Sequence, residues 1–251
     1  LIPRHGGVTD PNYAHWVAEN LPQIRGLKFF ERRFKRHCDV LINRNSPNFV
    51  YESLALLDVD LAQVKEFDVM TAWVKQLVIC RLPFLHSKGM ELEPIGRRWV
   101  AQKIRKKKQE LYGQRDLSKV LFYRPKEIRR AFINLDALLK IAKEEGFSVR
   151  NPGQDTFATQ VDIAAAVSVM IGLPSGAALA NMIFMAHGLV VDVRGDGNDA
   201  TCFFFLAHEI GLKYKVVWAP KSMESSSLPS SVANLRFNEW DFRNLLSELS
   251  V

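Results

Sequence analysis

The second half of the chain alternates short apolar runs with amphipathic stretches, and this alternation restricts the fold more than any other feature. Apolar runs with the length of buried strands stand at 119–123, 147–149, 167–171, 189–193 and 214–218. Stretches of helical length separate or follow them, at 134–145, 156–166, 176–185, 200–210 and 239–249. Strands that alternate with helices over short connections form a parallel sheet with helices on both faces. The predicted fold class of this half is therefore α/β.

Residues that begin and end helices stand at the boundaries of these stretches. Thr156 is a predicted N-cap, because its hydroxyl can accept a hydrogen bond from a free N–H of the first turn. Gly146 and Gly211 follow two of the predicted helices, and glycine adopts most easily the left-handed backbone that ends a helix. The helix boundaries thus agree with the strand pattern.

The first half of the chain has a weaker pattern. The elements predicted there are helices and short strands, at 13–30, 40–43, 49–57, 76–80 and 94–112. Pro22 predicts a break in the first helix, because proline removes a helical hydrogen bond. The change of pattern along the chain predicts two domains, 1–115 and 116–251.

Positive charge is concentrated in one tract of the predicted helix 94–112. The chain has 34 Lys and Arg against 27 Asp and Glu, a net charge of +7. Cations without an intervening acid are Arg97, Arg98, Lys103, Arg105, Lys106, Lys107 and Lys108. Such a tract is either a solvated helix face or a surface for nucleic acid or another anionic partner. Because no aromatic residues alternate with the cations, we expect no specific nucleic acid and at most a weak anionic contact through Arg97–Lys108.

The cysteines and the uncharged stretches restrict the class of protein. Cys38, Cys80 and Cys202 lie far apart, which excludes a CxxC motif and favours a reduced compartment such as the cytoplasm. The stretch 163–186 carries no charge, but Gly172 and Pro174 interrupt it, so it is interpreted as strand, turn and helix rather than as a membrane span.

The chain opens at Leu1 without an initiator Met. We therefore expect a processed, truncated or renumbered product, which leaves an upstream signal or anchor open.

A run of small residues between a predicted strand and a helix is the strongest local motif. It extends from Gly172 through Ser175, Gly176 and Ala177 to Asn181. Small residues let a ligand approach the backbone, and the free N–H groups at a helix start suit a phosphate. The run lacks the Lys-Ser/Thr ending of a Walker A loop. A tight turn that only packs well is an equally supported interpretation.

Arginines follow the predicted strand 119–123. They are Arg124, Arg129 and Arg130, with Asn134 opening the next helix. Guanidinium groups in this position could hold a pyrophosphate through paired hydrogen bonds. A solvated helix start has the same spacing and is the more common case.

His15 and Glu19 stand four residues apart, so a helix places both on one face. An imidazole beside a carboxylate can act as a general base or orient one. An ordinary pair on a helix face is the more frequent explanation of this spacing. Asp58 and Asp60 form a DxD motif of the kind that holds a divalent metal and the phosphates of a nucleotide-sugar, but two acids at this spacing are common.

Taken in order, these motifs resemble those of glycosyltransferase family 61. The matching residues are Gly6-Gly7, Asn12-Tyr13-Ala14-His15, Glu19, Leu21-Pro22, Arg124, Arg130, Asn134, Gly146-Phe147, Gln160 and the run from Ser175 to Phe184. The chain departs from the family pattern at Ser175, where the family has His, and at Ala178, where it has Gly. At Glu19 the family often has Asp, which is also a carboxylate.

The resemblance implies a GT-B-like fold, with two Rossmann-like lobes around a cleft, an acceptor-side lobe first and a nucleotide-sugar-binding lobe second. It implies inverting transfer from a UDP-sugar, with xylose as the first candidate, to an oligosaccharide or glycoprotein. No cofactor and no essential Mg²⁺ or Mn²⁺ are expected. Glu19 or His15 would be the base. The residues expected to bind the donor are Arg124, Arg129, Arg130, Asn134, Gln160, Ser175, Gly176, Ala177 and Asn181.

Three alternatives remain open at the level of sequence. One is a metal-dependent transferase that uses Asp58 and Asp60. Another is a binding module for nucleic acid or an acidic surface, formed by the basic tract 97–108. The last is a folded but inactive transferase, because Ser175 lacks the imidazole of the family motif.

Overall fold

The computed structural model describes residues 12–67, 73–80, 94–112, 119–125, 131–174, 176–198, 200–229 and 232–249. The chain divides into two compact units. The first comprises Leu1–Gly113 and Thr156–Val161, and the second comprises Gln114–Asp155 and Asp162–Val251. The predicted boundary between residues 115 and 116 lies outside the described residues. The acceptor-side and donor-side roles of the two domains stay predictions.

Within its described residues, the first unit consists of helices and a small two-stranded sheet. Its main elements are α1 (Tyr13–His15), a π-helix (Trp16–Asn20), α2 (Gln23–Phe34), β1 (Val40–Asn43), α3 (Asn48–Leu56), β2 (Val64–Phe67) and α4 (Pro94–Tyr112). Strands β1 and β2 pair in parallel, with Val40 opposite Val64 and Asn43 opposite Phe67. The break at Pro22 is confirmed, but the helix after it continues to Phe34.

One predicted strand of the first unit is wrong. The described residues 73–80 form no strand. Val74, Leu77 and Ile79 are apolar but 37%, 57% and 77% exposed. An apolar run becomes a strand only where a neighbouring strand accepts its backbone hydrogen bonds, and β2, which pairs with β1, was not predicted.

A five-stranded parallel sheet forms the centre of the second unit. The strands are β3 (Lys119–Tyr123), β4 (Ser148–Arg150), β5 (Val169–Leu173), β6 (Leu189–Gly195) and β7 (Lys213–Ala219), in the spatial order β4-β3-β5-β6-β7. Every neighbouring pair is parallel. The observed ends of the strands lie within two residues of the predicted ends. The prediction of an α/β fold with a parallel sheet and flanking helices is therefore confirmed.

Helices complete this unit at the predicted places. They are α5 (Leu135–Glu144), α6 (Phe157–Ala166), α7 (Gly176–Leu179), which continues as a 3-10 turn (Ala180–Phe184), α8 (Cys202–Ile210) and α9 (Glu239–Glu248). The first residues of α6 belong to the first unit. Thr156 caps α6 as predicted, because its Oγ1 accepts a hydrogen bond from the Thr159 N–H at 3.1 Å. Gly146 and Gly211 have φ angles of 78° and 84° at the ends of α5 and α8.

The core of the second unit lies between the sheet and the pair α5 and α9. Leu121, Ile171 and Val191 of the central strands pack in one cluster with Leu138 of α5 and Phe242 of α9. The burial of these side chains holds the strands in place. It therefore also fixes the strand ends from which the loops leave. Among the described residues, no helix has the length and apolarity that a membrane crossing requires.

Candidate functional site

The sheet reverses its direction of growth between β3 and β5. The chain forms β3 first, adds β4 on one side, and then crosses to the other side of β3 to form β5. In open α/β sheets the loops diverge at such a switch point, and ligands bind at the carboxyl ends of the strands there. The switch point therefore marks the carboxyl ends of β3 and β5 as the candidate ligand site of this unit.

Arg124 and the turn after β5 meet at this switch point. Tyr123 is opposite Leu173 in the sheet, and the Arg124 N–H donates to the Leu173 carbonyl at 3.0 Å. Arg124 follows β3 directly, and Pro174 follows β5 directly. The fold thus brings together two of the motifs that the sequence analysis singled out.

A close helix–strand contact shapes the turn. A Cβ on Gly172 would lie 2.9 Å from Cδ2 of Leu179, so any larger residue would force the Leu179 side chain of α7 to shift. Gly176 begins α7, and Ala177 in its first turn is half-buried. Asn181 is fully buried in the 3-10 turn that follows.

Several residues of the sequence motifs lie outside the described part of the chain. They are Gly6, Gly7, Arg129, Arg130 and Ser175. Asn134 is described and occupies the N-cap position of α5. Its Nδ2 donates to the Phe237 carbonyl at 2.8 Å, which ties α5 to the segment before α9. Within the described residues, its Oδ1 is buried and accepts no hydrogen bond.

A buried polar cluster on β6 and β7 was not predicted from the sequence. The Nε of Arg194 lies 3.0 Å from Oδ2 of Asp192, and its Nη2 lies 2.7 Å from Oη of Tyr214. Arg194 also donates to the Ala200 carbonyl, which holds the loop after β6. Asp192 is opposite Gly172, so the cluster supports the strand beside the candidate site. The sequence does contain a signal for this cluster, because Asp192 and Arg194 are two residues apart and therefore lie on one side of a strand.

The cluster changes the acidity of its members. Burial raises the pKa of Tyr214, and the Asp192 carboxylate raises it further. Burial alone would lower the pKa of Arg194, but Asp192 and Tyr214 raise it overall. Both Arg194 and Tyr214 therefore keep their protons at ordinary pH.

In the first unit, His15 and Glu19 form the pair that their spacing predicted. His15 Nδ1 lies 2.9 Å from Oε1 of Glu19, and the two side chains are 13% and 6% exposed. The turn between them is a π-helix, in which the Leu21 N–H donates to the Trp16 carbonyl at 2.9 Å. π-helical turns are rare and occur often at functional sites. A protected imidazole–carboxylate pair is suited to accept a proton.

Gln160, a predicted donor-binding residue, belongs to the same unit as His15 and Glu19. It is buried on α6, one turn after Phe157. The Phe157 N–H donates to Oε2 of Glu52 at 2.8 Å. The Phe157 ring also lies 6.3 Å from the ring of Tyr13, which begins α1.

The basic tract is not one continuous surface. Arg97 and Lys108 are 0% and 5% exposed, so the interpretation of the tract as a solvated face is wrong for them. Lys107 pairs with Asp58. The exposed cations of the tract are Arg98, Lys103 and Lys106. The correction follows from helical periodicity, since Arg97 and Lys108 share the side of α4 that buries Val100, Ala101 and Ile104.

The two acids of the DxD motif have local contacts. Asp58 pairs with Lys107, and Oδ1 of Asp60 accepts from the Ala62 N–H at 2.9 Å, capping a short 3-10 helix. In the described ranges, no group of three or more His, Cys, Asp or Glu side chains could hold a metal ion. Both acids of the motif are therefore engaged by neighbouring residues of the first unit.

A cavity of about 790 Å³ also lies in the first unit. Its lining includes Leu27, Phe30, Cys38, Leu77 and Cys80. The fold thus brings two cysteines that are far apart in sequence to one cavity, and burial raises the pKa of both thiols. Neither His15 nor Glu19 lines it.

Comparison with known proteins gives one family. The family model described as Glycosyltransferase 61 matches residues 13–191. This match covers well over half of the chain and includes the imidazole–carboxylate pair and the whole switch point. No curated protein matches the chain.

Proposed function

The chain belongs to glycosyltransferase family 61, and on this premise we propose that it moves a sugar from a UDP-sugar to a hydroxyl of an oligosaccharide or glycoprotein. The transfer inverts the anomeric centre and requires no metal ion, and the proposed fold class is GT-B-like. The observation that carries this proposal is the meeting of Arg124 with the turn after β5 at the switch point of the sheet.

The donor diphosphate is proposed to bind at this switch point. A guanidinium offers two parallel N–H donors to phosphate oxygens, and Arg124 stands where ligands approach parallel sheets. The backbone N–H groups around Ser175, Gly176 and Ala177 add further donors, with Asn181 supporting their turn. When the sugar–phosphate bond breaks, negative charge grows on the leaving UDP, and preorganised donors stabilise it. Arg129, Arg130, Asn134 and Gln160 stay proposed donor contacts.

The pair in the first unit is proposed to activate the acceptor. The acceptor hydroxyl loses its proton to Glu19 or to His15, whose Oε1 and Nδ1 atoms are 2.9 Å apart. The hydroxyl oxygen forms a bond to the anomeric carbon as the bond from that carbon to UDP breaks. A single displacement of this kind inverts the configuration. Either Glu19 orients His15 as the base, or the carboxylate accepts the proton itself.

The donor sugar proposed first is xylose, which follows from the family alone. Thermal unfolding with UDP, UDP-xylose, UDP-glucose, UDP-N-acetylglucosamine, GDP-mannose and CMP-sugars tests both the nucleotide and the sugar. A ligand at a hundredfold excess over its Kd stabilises the folded state by about 2.7 kcal/mol. We expect a rise in Tm with UDP and one UDP-sugar, unchanged in EDTA.

Arg124→Ala should abolish this rise in Tm, because it removes the proposed diphosphate contact. Arg236→Ala, which changes an exposed arginine of the same unit, is the matched control and should keep the rise. Loss of the rise in EDTA would favour a metal-dependent donor site. No rise with any nucleotide would contradict the proposed donor site.

A further inference from the structure

Arg97 is buried against the backbone of the π-helix that carries Glu19. It lies in the first turn of α4, is 0% exposed, and its Nε donates to the Ala18 carbonyl at 2.7 Å. A guanidinium placed in the interior costs desolvation energy that an apolar side chain of the same size would avoid. Its burial against this carbonyl therefore requires a specific reason.

Hydrogen bonds in a π-helix join residues five apart, whereas those in an α-helix join residues four apart. Where one helix type changes into the other, backbone carbonyl groups lose their usual N–H partners and accept side-chain donors instead. Three carbonyl groups in and around this π-helix accept side-chain N–H groups. The His15 carbonyl accepts from Nδ2 of Asn20 at 3.3 Å, and the Glu19 carbonyl accepts from Nε2 of Gln23 at 3.3 Å. Between them the Ala18 carbonyl accepts from Arg97, by the shortest of these bonds and from a charged donor.

The Ala18 carbonyl belongs to the peptide group that joins Ala18 to Glu19. Because a peptide group is planar, a bond to its oxygen also fixes the plane that contains the N–H and Cα of Glu19. Trp16, at the start of the same π-helix, is held separately, since its Nε1 donates to Oγ of Ser53 at 2.9 Å. Arg97 thus makes a contact from α4 to the peptide plane from which the Glu19 side chain leaves the backbone.

We propose that Arg97 is a positioning residue, which holds the π-helix so that the Glu19 carboxylate meets His15 in the geometry needed to accept a proton. This inference rests on the proposed function, in which that pair is the base. It assigns to one member of the basic tract a role that has no connection with an anionic partner.

The exchange rates of the backbone amides report how firmly the π-helix is held, and this measurement requires no substrate. Arg97→Met keeps much of the side-chain length and removes the donor, and Lys103→Met removes an exposed cation from the same helix as the matched control. We expect faster exchange of the 16–21 amides in Arg97→Met than in Lys103→Met. Equal exchange in the two variants would overturn the inference.

Kinetics test the consequence for the base, with UDP release from UDP-xylose as the probe. Arg97→Met should lower kcat about 10- to 100-fold with little change in KM, because misplacing a base by about 1 Å has that effect. Arg97→Lys, which keeps a charged donor, should restore part of the lost kcat. In a Glu19→Gln background, Arg97→Met should lower kcat no further, since residues that act as a unit are not additive.

Multiplicative losses in the double variant would overturn the inference, because they show that Arg97 acts independently of Glu19. Should Arg97→Met not fold, Arg97→Lys in the two backgrounds gives the same comparison. An unimpaired Arg97→Met beside an impaired Glu19→Gln overturns the positioning role alone. Unchanged turnover in both Glu19→Gln and His15→Ala overturns the proposed base, and with it the inference.

Discussion

The three cysteines differ in how far each thiol is buried. Cys202 is buried at the start of α8, whereas Cys38 and Cys80 are half-buried. Burial raises the pKa of Cys202 from 9.0 to about 11, because the thiolate loses its hydration. The thiolate is the reactive form of cysteine, so this shift suppresses the chemistry of Cys202 at ordinary pH.

Cys202 should therefore react slowly with iodoacetamide in the folded protein. At pH 8, a thiol with a pKa of about 11 is ionised in roughly one molecule in a thousand. We expect peptide mass spectrometry to find Cys202 labelled at least about tenfold more slowly than Cys38, with the difference removed in urea. Equal labelling rates in the folded protein would show that Cys202 is not buried as described.

The same shift has a consequence for stability in alkaline solution. Above pH 9.0 the thiol of the unfolded chain ionises, while the folded chain keeps its proton to a pKa of about 11. The unfolded state then binds fewer protons, so the free energy of unfolding falls as the pH rises through this window. Below pH 9.0 the contribution of Cys202 is fully present.

Arg97 shows what could and could not be predicted at the scale of residues. Its position three, four and seven residues before Val100, Ala101 and Ile104 places it on the buried side of α4, and the sequence alone contains this pattern. The run of positive charges instead favoured the interpretation of this tract as a solvated face. Its acceptor, the Ala18 carbonyl, could not be predicted, because every residue has a backbone carbonyl and the sequence does not distinguish one from another.

At the scale of elements, the strands of the second unit followed from their patterns because buried parallel strands are continuous apolar runs. The π-helix did not follow, since one additional residue in a turn barely changes the spacing of apolar positions. The false strand at 76–80 and the missed β2 have one cause. In an isolated pair of short strands, pairing rather than composition decides which segment becomes a strand.

The polar cluster between β6 and β7 should contribute strongly to stability. Arg194→Met removes the cation and leaves the Asp192 carboxylate buried without its charge partner. Breaking a buried ion pair in this way costs about 3–5 kcal/mol of unfolding free energy, which urea unfolding measures. Lys213→Met, which changes an exposed lysine of β7, is the control and should stay within about 0.5 kcal/mol of the unsubstituted protein.

Adding Asp192→Leu to Arg194→Met should recover part of the loss, because the second change removes the isolated charge. The account of the cluster would be wrong if Arg194→Met unfolded at the same urea concentration as Lys213→Met. It would also be wrong if the double variant were less stable than Arg194→Met.

At the scale of the whole molecule, the order of motifs along the chain predicted the family, and the family model confirms it over residues 13–191. The sheet explains why motifs distant in sequence belong together, because its switch point brings Arg124 to the turn after β5. The donor sugar could not be predicted in this way. A site selects a sugar through a few hydrogen bonds to its hydroxyls, and neither strand pattern nor motif order specifies them.

The stereochemistry of donor hydrolysis tests the central claim most directly. In the absence of an acceptor, water can take the place of the acceptor hydroxyl. Proton NMR recorded during incubation with UDP-α-xylose shows both UDP release and the first anomer of xylose that forms. We expect β-xylose to appear first, ahead of its equilibration with the α-anomer, and slower UDP release in Glu19→Gln. α-Xylose as the first product would contradict the inverting mechanism, and no UDP release from any UDP-sugar would contradict the proposed transfer itself.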